Sequence, residues 1–357
     1  MEELYLDANA HVSLNQKALE SYISFNNSIA SKGHPSSPSS PGRAAATALE
    51  TARGKIASLI GAKKPGQIIF TSNCTSACTW ALQILKNIPG EHKNYVSPTE
   101  HPAVKDPFQN FFPDFLELEI NKNGKVCGYD LGLDSKVTCL HLQNELGIIQ
   151  PLESLRCKFL CSDMSQSLGK VPIDVSEMNV DIAMFAGHKF GGYMVGFIYL
   201  KDTKLWKPFD YGSRYFMDRS GTPDVAGVVA TAVALEEAVS TLEVRTKNMY
   251  AFRDVLESGL EQNGFEVIAK DEIRCPNTTF AKTPRPGQGI ELLIGLGNHG
   301  IHIGLGSACG SIYAGGSPLM NRLGRPSDGQ DYIRISQFGE YNEVEAKRVI
   351  DVLDKLV

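Results

Sequence analysis

Several residues able to handle protons, carboxylates and an aldehyde stand at the ends of short apolar runs in this chain. Lys189 follows the run Asp181-Ile-Ala-Met-Phe-Ala-Gly-His-Lys189. An amine at the edge of an apolar site has its pKa lowered and can condense with an aldehyde. Asp163 closes the apolar run 158–162 and is suited to pairing with a cationic ring nitrogen, or more plainly to capping the segment that follows. His101, beyond Tyr95-Val-Ser97, is placed to stack on a ring or shuttle protons. Arg334, inside the apolar Tyr332-Ile-Arg-Ile-Ser336, has the planar fork that grips a carboxylate.

The elements that must position these groups follow from the pattern around them. A strand at 67–70 runs into the small polar turn Thr71-Ser-Asn-Cys-Thr-Ser-Ala77 and then a helix. Free amide groups and the helix dipole make such a turn an anion cradle, with Cys74 and Thr75 inside it. Apolar runs at 95–97, 137–142, 158–162 and 181–186 each end in polar residues, with helical or loop segments between them. That is the signature of a mostly parallel α/β sheet whose strand ends share one crevice. The run 196–200 follows Lys189 so closely that it is expected to pair antiparallel through a hairpin. Helices are expected at 43–60, closed by Gly61, and at 225–250. The proline- and serine-rich 32–42 is expected to be a loop. Strands at 265–268, 277–280 and 332–336 with helices at 288–296 and 343–356 indicate a smaller α/β domain of about 110 residues.

The 357 residues are enough for a large core, and an apolar fraction of 42% with 21% charged residues is ordinary for a globular protein. A net charge of −5 with interspersed signs offers neither a basic stripe for nucleic acid nor a polybasic membrane anchor, so small molecules and other proteins are the expected partners. The opening Met1-Glu-Glu-Leu-Tyr-Leu-Asp7 lacks a signal-peptide layout, and the longest apolar stretch, 225–235, is too short to span a bilayer. A cytoplasmic location is expected. Eight cysteines without framework spacing fit reduced thiols, and the Cys74/Cys78 and Cys157/Cys161 spacings are loose for zinc, so no metal site is expected.

At this level of detail the chain resembles the cysteine desulfurases of the NifS/IscS type, in the class V branch of fold-type I pyridoxal phosphate enzymes. The resemblance runs from Tyr5-Leu-Asp7 to the C-terminal helix. It is carried by Phe70-Thr-Ser-x-x-Thr75, Thr99-Glu-His-x-Ala-Val104, Asn144-Glu-x-Gly147, Asp163-x-x-Gln-Ser-x-Gly-Lys-x-Pro-Ile-Asp174, Gly187-His-Lys189, Arg219-Ser-Gly-Thr222 and Gly306-Ser-Ala-Cys309. It implies a large domain over 12–245 with a mostly parallel sheet, and a small domain of 1–11 and 246–357 that carries a catalytic cysteine loop. It also implies pyridoxal 5'-phosphate on Lys189, His101 stacked on its ring, Asp163 on the ring nitrogen and Gln166 as a donor to the ring oxygen. Cys74, Thr75 and His188 would lie at the cofactor and its phosphate, and Thr222 would reach the phosphate of a neighbouring subunit in a homodimer. Gln143 and Arg334 would take the carboxylate of L-cysteine. Cys309 would take its sulfur as a persulfide, leave alanine, and hand the sulfur to an acceptor protein for iron-sulfur cluster assembly or another pathway.

The chain departs from the family at three places. A serine that usually binds phosphate is Ala186, the first amide of the Asn-Asn-Glu-x-Gly motif is Gln143, and the glycine-rich segment ahead of Arg219 is Tyr211-Gly-Ser-Arg-Tyr-Phe-Met217. These leave open a related lyase acting on selenocysteine, cystine or cysteine. A non-catalytic relative is disfavoured by the presence of Lys189, Asp163, His101 and Cys309.

Overall fold

Buried runs with alternating faces build the central sheet. In the computed structural model, which describes residues 3–206, 221–305, 317–325 and 330–357, the first part of the chain contributes β1 (Leu4–Tyr5), α1 (Gln16–Asn27), α2 (Ser40–Leu59), β2 (Ile68–Thr71), α3 (Cys74–Asn87) and β3 (Lys93–Val96). Next come α4 (Pro102–Phe111), β4 (Leu116–Glu117), β5 (Asp130–Thr138), β6 (Arg156–Asp163), β7 (Ile182–Ala186) and β8 (Gly196–Leu200). The remainder supplies α5 (Val225–Ser240), α6 (Leu242–Gln262), β9 (Glu266–Val267), β10 (Thr278–Lys282), α7 (Gln288–Gly297), β11 (Ile301–His302), α8 (Pro318–Arg322), β12 (Tyr332–Ser336) and α9 (Glu343–Leu353).

Seven strands form one sheet in the order β2-β8-β7-β6-β5-β3-β4. The pairs from β4 through β7 are parallel, whereas β8 is antiparallel to both β7 and β2, as the short connection to it requires. Every residue of β7 and β8 is buried, so the sheet is covered on both faces. Side chains alternate between those faces. Phe185, Phe197 and Tyr199 pack with Leu49 and Ile56 of α2 and Leu235 of α5, while Met184, Ile198 and Leu200 pack with Leu82 and Leu85 of α3 and Phe108 of α4. Parallel pairing brings the C-terminal ends of β5, β6 and β7 to one edge, where the polar residues that follow them converge.

A separate core gathers Phe252, Leu256 and Leu260 of α6, Ile333 and Ile335 of β12, Val349 and Leu353 of α9, and Leu4 and Leu6 from the start of the chain. β1 pairs with β11, and β12, β10 and β9 form an antiparallel sheet.

Three elements differ from expectation: the run expected at 137–142 supplies only the last two residues of β5, which begins at Asp130, and two helices depart as follows. The helix expected over 225–250 breaks at Thr241, with α5 and α6 bent by 64°. Ser240 and Thr241 both turn their hydroxyls back onto the Glu237 carbonyl, at 3.1 and 2.7 Å, which competes with helix continuation. Arg245 then ties α6 to the Phe338 and Gly169 carbonyls at 2.9 and 2.6 Å. Helix α2 starts at Ser40, inside the expected loop, because Ser39 caps the Gly42 amide at 3.2 Å and Pro41 suits a first turn. Among the described residues no single helix is long and apolar enough to cross a membrane.

Candidate active site

Beyond the ends of β5, β6 and β7 lies a cavity of about 260 Å³. Lys189 reaches it from a single 3-10 turn, Gly187–Lys189, that follows β7 directly. Position 187 must be glycine, since a Cβ there would lie 2.3 Å from the Tyr193 carbonyl oxygen. The Lys189 amine donates to the carbonyls of Asn9 and Ala10, at 2.6 and 2.8 Å. Burial first, and then the positive Arg334, push its pKa down to about 8, so a usable fraction is neutral near physiological pH.

The walls around that amine carry complementary groups. Asp163 closes β6, and its Oδ1 accepts the Ser165 amide at 2.9 Å, which fixes the carboxylate. His101 caps α4 by accepting the Ala103 amide on Nδ1 at 3.1 Å, so the neutral ring carries its proton on Nε2. Burial lowers the His101 pKa, with Asp163 opposing and Lys189 reinforcing. The N-terminus of α3 forms the opposite wall: Asn73 caps the Ser76 amide at 2.9 Å, and the first-turn amides at Cys74 and Thr75 have no partner within the helix. Cys74 places its sulfur 2.9 Å from the Ser165 hydroxyl. His188 stacks on His11 with centroids 5.8 Å apart, and burial followed by Lys189 brings its pKa down to about 4, so its ring is neutral.

The residues expected at the substrate carboxylate divide. Gln143 is buried and turns its Oε1 onto the Leu146 amide at 3.0 Å, tying off its own turn. The neighbouring Asn144 walls the cavity and accepts from Gln166 Nε2 at 2.8 Å. Arg334 is fully buried behind Asn144, with Nη1 3.5 Å from both oxygens of that residue and Nη2 2.7 Å from Asp7 Oδ1. Thr222 is exposed ahead of α5 and is not among the cavity walls of its own chain. Cys309, with its loop, and the 211–217 segment lie outside the described residues.

Sequence reasoning passed over the N-terminal segment as a site element. Asn9 is buried, walls the cavity and receives Lys189 and Gln166 on its carbonyl, at 2.6 and 2.9 Å. The signal was the polar Asp7, Asn9 and His11 in an otherwise apolar entry, which the structure folds into a turn closed by the Ala10 amide on the Asp7 carbonyl at 2.9 Å. Chemically, the site can bind an aldehyde on Lys189, an anion on the α3 terminus and a cationic ring nitrogen at Asp163, with a buried arginine close by for a carboxylate.

The model of the family described as "Aminotransferase class-V" matches residues 4–347. "Putative cysteine desulfurase IscS 1" of Bacillus subtilis is 30% identical over 387 residues, covering 100% of this chain and 100% of the relative. "Cysteine desulfurase IscS" of Dictyoglomus turgidum is 29% identical, covering 99% of this chain and 94% of the relative. A solved structure of a NifS-like protein superposes with a TM-score of 0.87 at 28% identity, covering 99% and 100% of the two chains.

Proposed function

The chain belongs to the aminotransferase class-V family, and from that premise we propose that it is a pyridoxal 5'-phosphate-dependent cysteine desulfurase, converting L-cysteine to L-alanine with the sulfur held on Cys309 as a persulfide. The observation that carries the proposal is the Lys189 amine, pKa about 8, in one cavity with Asp163, His101 and the α3 terminus. This donor set fits the cofactor: an amine for its aldehyde, a carboxylate for its ring nitrogen, and amides with Thr75 and a neutral His188 for its phosphate. When bound, pyridoxal phosphate supplies an electron sink next to the substrate's α-carbon.

The chain's own residues do the rest. Lys189, partly neutral and pointing into the cavity, holds or releases a proton at Nζ. The neutral His101 presents Nε2–H, a single proton it can lend and recover. Asn144 in the cavity wall, and Arg334 behind it, would take the substrate carboxylate. Cys309, the nucleophile that the family resemblance implies, would take the substrate's sulfur, its new S–S bond forming as the substrate's C–S bond breaks. The persulfide then passes to an acceptor protein for iron-sulfur cluster assembly or another sulfur-donation pathway in the cytoplasm. A homodimer belongs to the same proposal, since the exposed Thr222 is free to serve a neighbour's site rather than its own.

Incubation of the purified protein with L-cysteine should yield alanine and a persulfide on Cys309. Cys309→Ala should still bind cofactor and cysteine yet release no alanine. Pyruvate in place of alanine, undiminished in that variant, overturns the desulfurase reading in favour of a lyase.

A further inference from the structure

Lys170 has 1% of its surface exposed, and its amine meets two amide oxygens, Gln166 Oε1 at 2.5 Å and Asn9 Oδ1 at 3.0 Å. Among the described residues it has no ion pair. Burying an amine without a carboxylate is costly, and burial, followed by the charge of Lys189, lowers its pKa to about 7. Charged or neutral, the amine retains two hydrogens for these two acceptors.

Those contacts decide how two amides face. An ammonium is a donor only, so Gln166 must give Lys170 its oxygen. Its NH2 then points to the Asn9 carbonyl, at 2.9 Å, and to Asn144 Oδ1, at 2.8 Å, on the cavity side. Asn9 is fixed in the same way: its Oδ1 also accepts Asn277 Nδ2 at 2.9 Å, and its own NH2 donates to Thr278 Oγ1 at 2.8 Å. The backbone carbonyl of the same Asn9, a separate group, holds the Lys189 amine.

We propose that Lys170 is a positioning residue: by donating to Gln166 Oε1 it keeps the Gln166 NH2 turned toward the cavity, and by donating to Asn9 Oδ1 it anchors the side chain of the residue whose backbone carbonyl holds Lys189. Gln166 therefore meets a bound ring as a hydrogen-bond donor, which rests on the cofactor reading above. A residue that merely filled space would leave Gln166 Oε1 without this donor, and the amide would be oriented only by its contacts to Asn9 and Asn144.

Two readouts separate these ideas. In the cofactor-free chain, the Gln166 side-chain amide signals, assigned by their loss in Gln166→Ala, should show through-space contacts to Asn144. Their solvent exchange should quicken at least tenfold in Lys170→Met and stay near wild type in Lys170→Gln, which keeps a donor. In the cofactor-loaded protein, Lys170→Met should shift the visible band and its pH midpoint in the same direction as Gln166→Ala, and the double variant should shift no further than Gln166→Ala. Wild-type amide protons that contact Lys170 instead of Asn144 overturn the proposal without any variant needing to fold. So do Lys170→Met shifts that are absent or fully additive with Gln166→Ala. A wild-type chain that binds no pyridoxal phosphate overturns the cofactor reading alone, and the amide signals still decide Lys170.

Discussion

Arg334 is held most tightly through one arm: Nη2 donates to Asp7 Oδ1 at 2.7 Å, Nη1 makes only long 3.5 Å contacts to the two Asn144 oxygens, and its buried Nε has no partner among the described residues. The guanidinium is fully buried and Asp7 only 19% exposed, so the pair is largely removed from water. Removing one partner of such a pair strands the other charge. Asp7→Ala should therefore lower stability by about 3 kcal/mol, with Asp7→Asn milder because an acceptor remains. Urea unfolding of the two variants checks this. Equal losses, or none, would mean that the ion pair does not hold the arginine.

The unpaired Nε and the long Nη1 contacts to the cavity-lining Asn144 bear on binding. A planar fork is lost in Arg334→Lys even though the charge stays. Loss of charge-assisted hydrogen bonds is worth roughly 1.5 to 3 kcal/mol, so cysteine affinity should fall about tenfold or more. Titration of the loaded protein with L-cysteine measures it, and an unchanged affinity would remove Arg334 from substrate binding.

The lowered Lys189 pKa makes a signed statement about stability. The unfolded lysine, near 10.5, keeps its proton to higher pH than the folded one, near 8. Between these values the unfolded state binds more protons, so the folded cofactor-free chain gains stability as pH rises through that window. Set against Lys189→Met, the wild type should gain about 3 kcal/mol between pH 7 and 10.5. A flat difference across this range would show that the amine is not desolvated.

His101 has two separable duties. Its Nδ1 caps α4 through the Ala103 amide at 3.1 Å, and its ring faces the cavity. Asparagine can cap but offers no imidazole, whereas alanine does neither. His101→Asn should keep stability within a few tenths of a kcal/mol of wild type and lose most turnover, while His101→Ala should lose about 1 kcal/mol as well. Turnover retained in His101→Asn would reduce the histidine to a cap.

Part of this site is legible in the sequence because Asp163 and Lys189 follow runs that are buried toward their ends, and parallel strands bring their C-terminal ends together. Each of Lys189, Asp163 and His101 alone also fits a surface charge or a cap, and it is their coincidence at strand ends, with the family resemblance, that singles them out. Gln143 and Asn144 show where the reading stops: both are amides, and only the local turn decides that one caps Leu146 while the other faces the cavity. Asn9 and Lys170 meet across 161 positions of chain, a contact that no periodicity announces. The break at Thr241 is of the same kind, since hydroxyls that can end a helix often sit harmlessly within one, and Arg245 binds the distant Phe338 and Gly169 carbonyls.

Ala186 offers a gain-of-function test. It ends β7 in register with Gly196, is 1% exposed, and forms part of the cavity wall beside His188. Its extended backbone, φ −122° and ψ 113°, suits serine as well as alanine. Serine adds one oxygen on the cavity side, where the family resemblance places the phosphate. One added hydrogen bond contributes about 1 kcal/mol, so Ala186→Ser should tighten pyridoxal phosphate binding by about fivefold. Equilibrium dialysis of the reduced-affinity Lys189→Ala background isolates this contact from the covalent one. Weaker binding in Ala186→Ser would mean that the wall is packed too closely to admit the hydroxyl, and that the phosphate is held by Thr75, the first-turn amides of α3 and His188 without help from position 186.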